Sequence, residues 1–521
     1  MNTTKQELIA KIESRVADKA LERSNADLLI KLINNADSID EAISIAALGT
    51  MYKRTGLHFD PRLEKMSNTI KYFEKNEALS FTTPGAKRTH KLIIGDNYDA
   101  LQNLLIQYRK KIDIIYIDPP YGKDSMGEFA ATNYDNAVTR DNLLSMLYPR
   151  LWLAKQLLSD RGAIFCSIDD KNQAYVKCLF DEIFGEKYFA AIFPWRKRTA
   201  KSDVPFGISQ DYEYILVYAK SNDFVASIEG GNRKYIISDD FPNKPWRYHD
   251  LTTQRTVKER PNSDFTIINP KNGIKYPVNP LRCWAITKND FQRYYDDHKI
   301  IFPGDYDFLN ITRPVMRYWK EDDEEKAGDK FGQIAVSTKL PDNVGMSKDG
   351  TKVIQEIFGD KIFSYPKTVE LLKFLLKIST NQDSIILDFF AGSGTTGHSV
   401  LDLNKEGSDL TFILCQLNEK SDTTPNGIAY DVTSKRLKRI MTGECYDGSK
   451  DFEWIKKNKP YGDNLDVYEI KMVADNATEP GQTPFDLIDE TLYGKEKFAT
   501  KREKIEWVCQ NFQRTEKYLE E

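Results

Sequence analysis

Scarcity narrows this chain first. Only six of its 521 residues are cysteine (Cys166, Cys178, Cys283, Cys415, Cys445 and Cys509), scattered without a C-x-x-C, and the five histidines form no cluster with them. That spacing offers neither a zinc site nor a disulfide framework, so no metal is expected and a reducing cytoplasm fits. No apolar run reaches bilayer-spanning length, and the first residues, Met1-Asn2-Thr3-Thr4-Lys5-Gln6-Glu7, hold no apolar signal core, so no membrane contact is expected. An excess of either charge is also missing. The net charge is −4, so any face for nucleic acid must be a local basic surface balanced by acid elsewhere. No segment spells G-x-x-x-x-G-K-[ST], which argues against a P-loop for ATP.

What is present reads as soluble and globular, rich in rings: 40% hydrophobic, 29% charged and 12% aromatic. The length predicts about two to four domains. Residues 1–85 have a helical pattern, with Leu8, Ile12, Val16 and Ala20 four apart and Ser38-Ile39-Asp40-Glu41 as a capping box. Packing or dimer formation is the role expected of them. From 86 to 221, near-continuous apolar strands alternate with helices, the mark of an α/β sheet covered on both faces. Residues 222–355 break that rhythm. Short strands are punctuated by Pro and Gly, and Arg247, Arg282, Arg293 and Arg317 are interleaved with Trp246, Tyr248, Trp284, Tyr294, Tyr318 and Trp319. Singly these are core or solvated residues; together they suit phosphates and unstacked bases. The α/β rhythm resumes over 356–445, and 446–521 reads as a C-terminal extension. One sheet is thus interrupted by an insertion.

Two stretches carry chemistry. Residues 112–117 are an apolar strand that stops at Asp118-Pro119-Pro120-Tyr121. Two prolines remove two backbone donors, leaving the Asp118 carboxylate and the Pro119 carbonyl as bare acceptors beside an aromatic face. A planar substrate with an amino group, such as adenine, could donate both hydrogens there while lying on Tyr121. Alone, the four residues read equally well as a strand-ending turn. The second stretch decides between these. Strand 384–390 runs into Phe390-Ala391-Gly392-Ser393-Gly394-Thr395-Thr396-Gly397 and then a helix, and the next strand closes at Glu419. Glycines allow close backbone approach, the helix start faces anions, and the acid can take ribose hydroxyls. Because Gly392, Gly394 and Gly397 satisfy G-x-G-x-x-G, a nicotinamide oxidoreductase is the rival reading, but it gives no reason for Asp-Pro-Pro-Tyr. A DNA-binding module without catalysis leaves both motifs unexplained.

With these residues the sequence resembles the amino-specific DNA methyltransferases of the permuted β class. Their Asp-Pro-Pro-Tyr precedes, and their Phe-x-Gly-x-Gly follows, a target-recognition region. Residues 363–370, Phe-Ser-Tyr-Pro-Lys-Thr-Val-Glu, look like that family's Pro-Lys segment. Gly95-Asp96-Asn97, residues 212–220 and the tail pieces at 465–468 and 485–490 narrow the likeness to the modification (Mod) subunit of type III restriction–modification systems.

The resemblance implies a doubly wound, circularly permuted Rossmann-like α/β sheet with an inserted target-recognition domain. The acceptor half would be 86–221, the insertion 222–355 and the cofactor half 356–445, after a helical N-terminal region. It implies S-adenosylmethionine as cofactor and double-stranded DNA as substrate, with adenine favoured because the motif's first residue is Asp. A homodimer and a separate ATP-dependent restriction subunit would follow, with a solitary methyltransferase as the alternative.

By the same likeness Asp118, Pro119, Pro120 and Tyr121 are catalytic. Cofactor contacts fall to Phe390, Ala391, Gly392, Ser393, Gly394, Thr395, Thr396 and Glu419, with Lys367, Thr368, Asp118 and Asp96, the last facing the cofactor's adenine. Asp388 either joins them or is buried and bonded to the loop. The base must leave the duplex to react. Trp195 is the expected second wall against it, with Arg196 and Arg198 on flanking phosphates.

Overall fold

The computed structural model describes residues 4–17, 21, 23–48, 69–121, 140–199, 205–230, 233–279, 281–328 and 331–512. The chain divides into two compact units, Met1–Asp60 and Pro61–Glu521. In the first, helices Lys5–Ala17, Arg23–Asn35 and Ile39–Leu48 enclose Leu8, Ile12, Ala26, Ile33 and Ala42. Ser38 Oγ accepts from Glu41 N at 3.1 Å, as a capping box requires, while the Glu41 carboxylate reaches one residue further back, to Asp37 N. Ala20, at the end of the expected periodicity, lies outside the described residues.

The second unit is built on a nine-stranded sheet. Its strands are β1 (Thr69–Lys75), β2 (Thr89–Ile94), β3 (Ile112–Ile117), β4 (Leu158–Ile168), β5 (Phe189–Arg196), β6 (Tyr212–Ala219), β7 (Ile385–Asp388), β8 (Thr411–Gln416) and β9 (Asn464–Ala474). The order is β1-β9-β2-β8-β7-β3-β4-β6-β5. The six strands from β9 to β4 are mutually parallel; β1 and β6 run against them and β5 runs with them. Strands buried on both faces explain the unbroken apolar runs: Ile114, Ile115, Ile386, Leu387, Phe412 and Ile413 are all at most 1% exposed. After β7 the chain crosses to β8 on one side, and after β3 to β4 on the other. The crevice between β7 and β3 is therefore the point where winding reverses, the usual seat of a ligand in such sheets.

Two expectations about the ends of the chain need correction. Residues 69–75, expected to be helical, form edge strand β1. The segment after 446, read as an extension, contributes β9, which lies between β1 and β2 and is parallel to β2. Both mix polar residues among apolar ones, as strands near a sheet edge do, and neither had a visible partner in the sequence.

Residues 222–355 build small sheets of their own. The largest joins Ile236–Ser238, Phe241–Asp250, Ile300–Ile301 and Val315–Trp319. Trp246 and Trp319 are buried in it and Trp284 in a neighbouring cluster, and Arg317, 4% exposed, stacks on Trp246 at 4.5 Å and Trp319 at 5.0 Å. Part of the expected basic and aromatic surface is therefore interior packing, while Tyr248 remains exposed. No helix among the described residues is long and apolar enough to cross a membrane.

One buried polar contact ties β2 to the connection entering β9. His90 is fully buried, stacked on Phe412, and accepts from Phe412 N at Nδ1, so its Nε2 proton faces Asp463 at 3.4 Å. Burial holds the imidazole below its ordinary pKa. Burial works to raise Asp463, but hydrogen bonds from His90 and Arg88 outweigh it and bring the carboxyl to about 2. A depressed carboxyl stabilises the fold above its unfolded pKa and loses that contribution as pH falls toward the folded value. Asp463→Asn should therefore lower thermal stability by about 2 kcal/mol at pH 7. The gap in Tm from wild type should close between about pH 5 and pH 2; a constant gap would refute the linkage.

Candidate functional site

β3 ends at Ile117, and the Asp118 side chain stands at the carboxyl edge of the sheet, 28% exposed. The Tyr121 hydroxyl turns back and donates to Asp118 Oδ1 at 2.8 Å. Lys367 Nζ donates to Asp118 Oδ2 at 2.6 Å and to Tyr121 Oη at 3.2 Å. Both carboxylate oxygens are thus engaged, yet a carboxylate has about four lone-pair sites, so each can accept once more.

Lys367 is also 3.3 Å from Glu213 Oε2, and Lys197 donates to Glu213 Oε1 at 3.1 Å. Asp118, Lys367, Glu213 and Lys197 form an electrically balanced chain of two acids and two lysines. Burial pushes the Asp118 carboxyl above its ordinary range despite Lys367. Burial acts the same way on Glu213, but Lys367 and Lys197 prevail and hold it below. Lys367, under both acids, is raised and stays charged. Glu213 was missed by sequence reasoning. Its only signal was a charge within the β6 run of aromatic and aliphatic residues.

The glycine loop leaves the next strand over. Asp388, 2% exposed, accepts from Phe390 N at 3.0 Å and Thr396 Oγ1 at 2.5 Å, bracing the loop at both ends. Burial, together with nearby Asp118, raises its carboxyl to about 7. Of its two expected roles, this geometry is that of the loop brace. Gly392 has φ +52°, and a Cβ there would lie 3.2 Å from the Phe363 ring. Gly397 serves packing instead: its helix, Thr395–Lys405, sits so close that a Cβ would meet Leu414 and Leu437 at 3.1 Å. Gly392 N itself donates to Gln416 Oε1.

Asp118 and the loop face one open hollow, whose space of about 420 Å³ runs out into open solvent. Tyr116 and Asp118 form one wall, Phe363, Tyr365, Pro366 and Lys367 another, and Asp388 with residues 390–396 (except Gly394) the floor.

Other expected residues fall elsewhere. Asp96 caps helix Asn97–Tyr108 by accepting from Tyr98 N and pairs with Arg150 at 3.1 Å, outside the hollow. Glu419 is half-buried beyond the end of β8. Thr368 caps helix Val369–Lys377, its hydroxyl accepting from Leu371 N and donating to Val344 O, so it is committed to the fold. Trp195 corrects an expectation. The β5 register turns Phe193 and Trp195 into the core, and Trp195 is 1% exposed with its Nε1 on Gly345 O, so it presents no face to a base. Arg196 points outward, 54% exposed, near Asp211, and Arg198 is half-buried.

A sequence profile described as DNA methylase matches residues 112–422, and one for an uncharacterised conserved protein matches 5–114. The type III restriction-modification enzyme StyLTI Mod subunit of Salmonella typhimurium is 32% identical, the alignment covering 74% of this chain and 63% of that protein. The EcoPI Mod subunit of Escherichia phage P1 is 28% identical over 77% of this chain and 68% of its own. The type II methyltransferase M.KpnI of Klebsiella pneumoniae is 28% identical over 76% of this chain and 97% of its own. The chain thus spans less than two thirds of the StyLTI relative.

Lys367 is 7% exposed and holds two acids together, so its removal leaves Asp118, 28% exposed, without a cation, while Glu213 keeps Lys197. Lys367→Met should cost about 1–3 kcal/mol of stability at neutral pH. The difference should narrow as pH falls through the carboxylate range, Asp118 protonating first because its pKa is raised. Denaturant unfolding at several pH values measures both; a variant as stable as wild type would show the charges to be solvated.

Proposed function

The chain belongs to the DNA methylase family, and we propose that it transfers a methyl group from S-adenosylmethionine to the exocyclic amine of a flipped adenine in double-stranded DNA. The observation that carries this reading is that Asp118 and the glycine loop line one hollow at the sheet's reversal point. The cofactor, when bound, supplies an electrophilic methyl group on a sulfonium.

The chain supplies position and charge. Residues 390–396 would hold the methionine end, with Glu419 toward the ribose and Asp96 beyond it toward the adenine. Asp118 and the Pro119 carbonyl would accept the two amine hydrogens of the target. That pull favours a pyramidal nitrogen whose lone pair is no longer delocalised into the ring. The target nitrogen turns acidic only as it gains the methyl, so a carboxylate suffices to receive its proton. Asp118, raised by burial, is a better base than a solvated aspartate. Stacking on Tyr121 offsets part of the few kcal/mol that base flipping costs. Lys367 and Glu213 would keep the Tyr121 hydroxyl and Asp118 in register, a role for Lys367 closer to the acceptor than to the cofactor.

We read the order of parts, acceptor half then insertion then cofactor half, as a circular permutation, with 222–355 as the target-recognition region and Arg196 and Arg198 on phosphates. The likeness to two Mod subunits supports a type III modification subunit; on that reading we further propose a cytoplasmic homodimer beside a separate ATP-dependent restriction subunit.

Incubating the full chain with duplex DNA and tritiated S-adenosylmethionine should yield N6-methyladenine on nucleoside digestion. N4-methylcytosine, or no transfer to any duplex, would overturn the assignment. Asp118→Ala should lower transfer at least about 100-fold, and Tyr121→Ala about 10- to 100-fold, each with cofactor affinity within about threefold of wild type. Gly392→Val should reverse that pattern, because its φ and the Phe363 ring leave no room for a side chain. Equal loss of cofactor binding in all three would refute the division of labour.

A further inference from the structure

Directly beneath the glycine loop lies a charge without an obvious purpose. Arg436, on helix Lys435–Thr442, is 1% exposed. Its Nη1 donates to the Ser393 carbonyl at 3.2 Å, Ser393 Oγ at 3.0 Å and Thr395 Oγ1 at 2.9 Å, and its Nη2 faces His398 Nδ1 at 3.1 Å. Its Nε is buried with no partner. Every one of these acceptors is neutral. Burial and the neighbouring guanidinium hold His398 well below its ordinary pKa, so its Nδ1 accepts from Arg436 and its Nε2 proton faces Tyr461 Oη. The closest acid along that path, Asp402, is reached only through Tyr461 and is already held by Lys373. No carboxylate pairs with Arg436 among the described residues.

Buried charges in folded proteins are paired, and an unpaired one costs several kcal/mol. Burial has drawn this guanidinium down to about 9, still charged at neutral pH. A cation retained in such a place acts on what binds beside it. Ser393 and Thr395 both accept from Arg436 and lie 3.2 Å apart, so one donates to the other and one hydroxyl proton is left for a further acceptor. Both residues line the hollow, where the start of helix Thr395–Lys405 adds a field of the same sign.

We propose that Arg436 is the buried counter-charge for the carboxylate at the methionine end of S-adenosylmethionine, a positioning residue that acts through Ser393 and Thr395 without touching the cofactor. This rests on the cofactor reading above. It also explains how a loop with His398 where a P-loop has its lysine can still favour an anion.

Two sulfonium ligands separate this role from a structural one: S-adenosylmethionine, and its decarboxylated form, which keeps the sulfonium and the amine. Their affinities for the full chain are measured by calorimetry. Arg436→Met should weaken S-adenosylmethionine about 10- to 100-fold and the decarboxylated ligand less than about threefold, the loss of one charge-assisted contact. Arg436→Lys, which keeps the charge, should recover most of the discrimination. Arg436→Gln takes the place of the methionine variant should that one not fold. An equal loss for both ligands, or no loss for either, overturns the role of Arg436 and leaves the cofactor reading standing. A wild-type chain that binds neither sulfonium overturns the cofactor reading itself.

Discussion

The site depends on the seam between β7 and β3. Only two residue pairs join these strands, Ile386 with Ile114 and Leu387 with Ile115. A side chain lengthens the seam: Asp113 Oδ2 accepts from Ile385 N at 2.9 Å, taking the place of a carbonyl, while its Oδ1 accepts from Ser159. Neighbouring strands lie about 4.8 Å apart, and a slip of one residue would turn every side chain to the opposite face. This register sets Asp388 opposite Tyr116, so the loop leaving β7 and the motif leaving β3 emerge side by side at one edge. Without it, the acceptor and the cradle would be unrelated loops.

At that edge two aspartates at the ends of neighbouring strands meet different surroundings. Asp388 is almost fully buried, accepts from the loop's own amide and hydroxyl, and has its carboxyl raised to about 7. Asp118 shares a hydrogen-bonded cluster with a lysine and a phenol and keeps part of its surface open. Such separation of like groups by environment is how one cleft assigns them different work. Here one brace shapes the loop and the other acid stays available to a ligand. Lys367 and the Tyr121 hydroxyl favour the charged form of the second, against burial and the like charge of Glu213.

The motifs could be read from the sequence because their physics is local. Two prolines after an apolar strand stop it wherever it lies, and Gly392 needs its positive φ whatever surrounds it. The seam of the sheet could also be inferred, since apolar strands alternating with helices leave few topologies. What stayed hidden were choices of partner. Whether Trp195 faced inward or outward turned on the β5 register, one residue either way. Glu213 and Arg436 gained meaning only from Lys367 and from the underside of the loop, each far along the chain. In 222–355, basic and aromatic residues suggested a surface, yet Arg317 and two tryptophans, Trp246 and Trp319, satisfy one another inside, because a guanidinium stacks on rings as readily as it binds phosphate.

The C-terminal strand shows how far the scaffold of this edge extends. β9 runs beside β2, and Ile470 covers Gly95 so closely that a Cβ there would lie 2.8 Å away. Gly95 is the last residue before Asp96, whose carboxylate caps the helix after β2 and holds Arg150. Further on, the Tyr493 hydroxyl donates to Asn103 on that same helix and accepts from Phe73 N on β1. The tail therefore fixes the helix at two points, just before its cap through Gly95 and in its middle through Asn103. A segment that looks appended in sequence is a constraint on where Asp96 stands relative to the glycine loop, because β2 and β7 flank the same strand, β8.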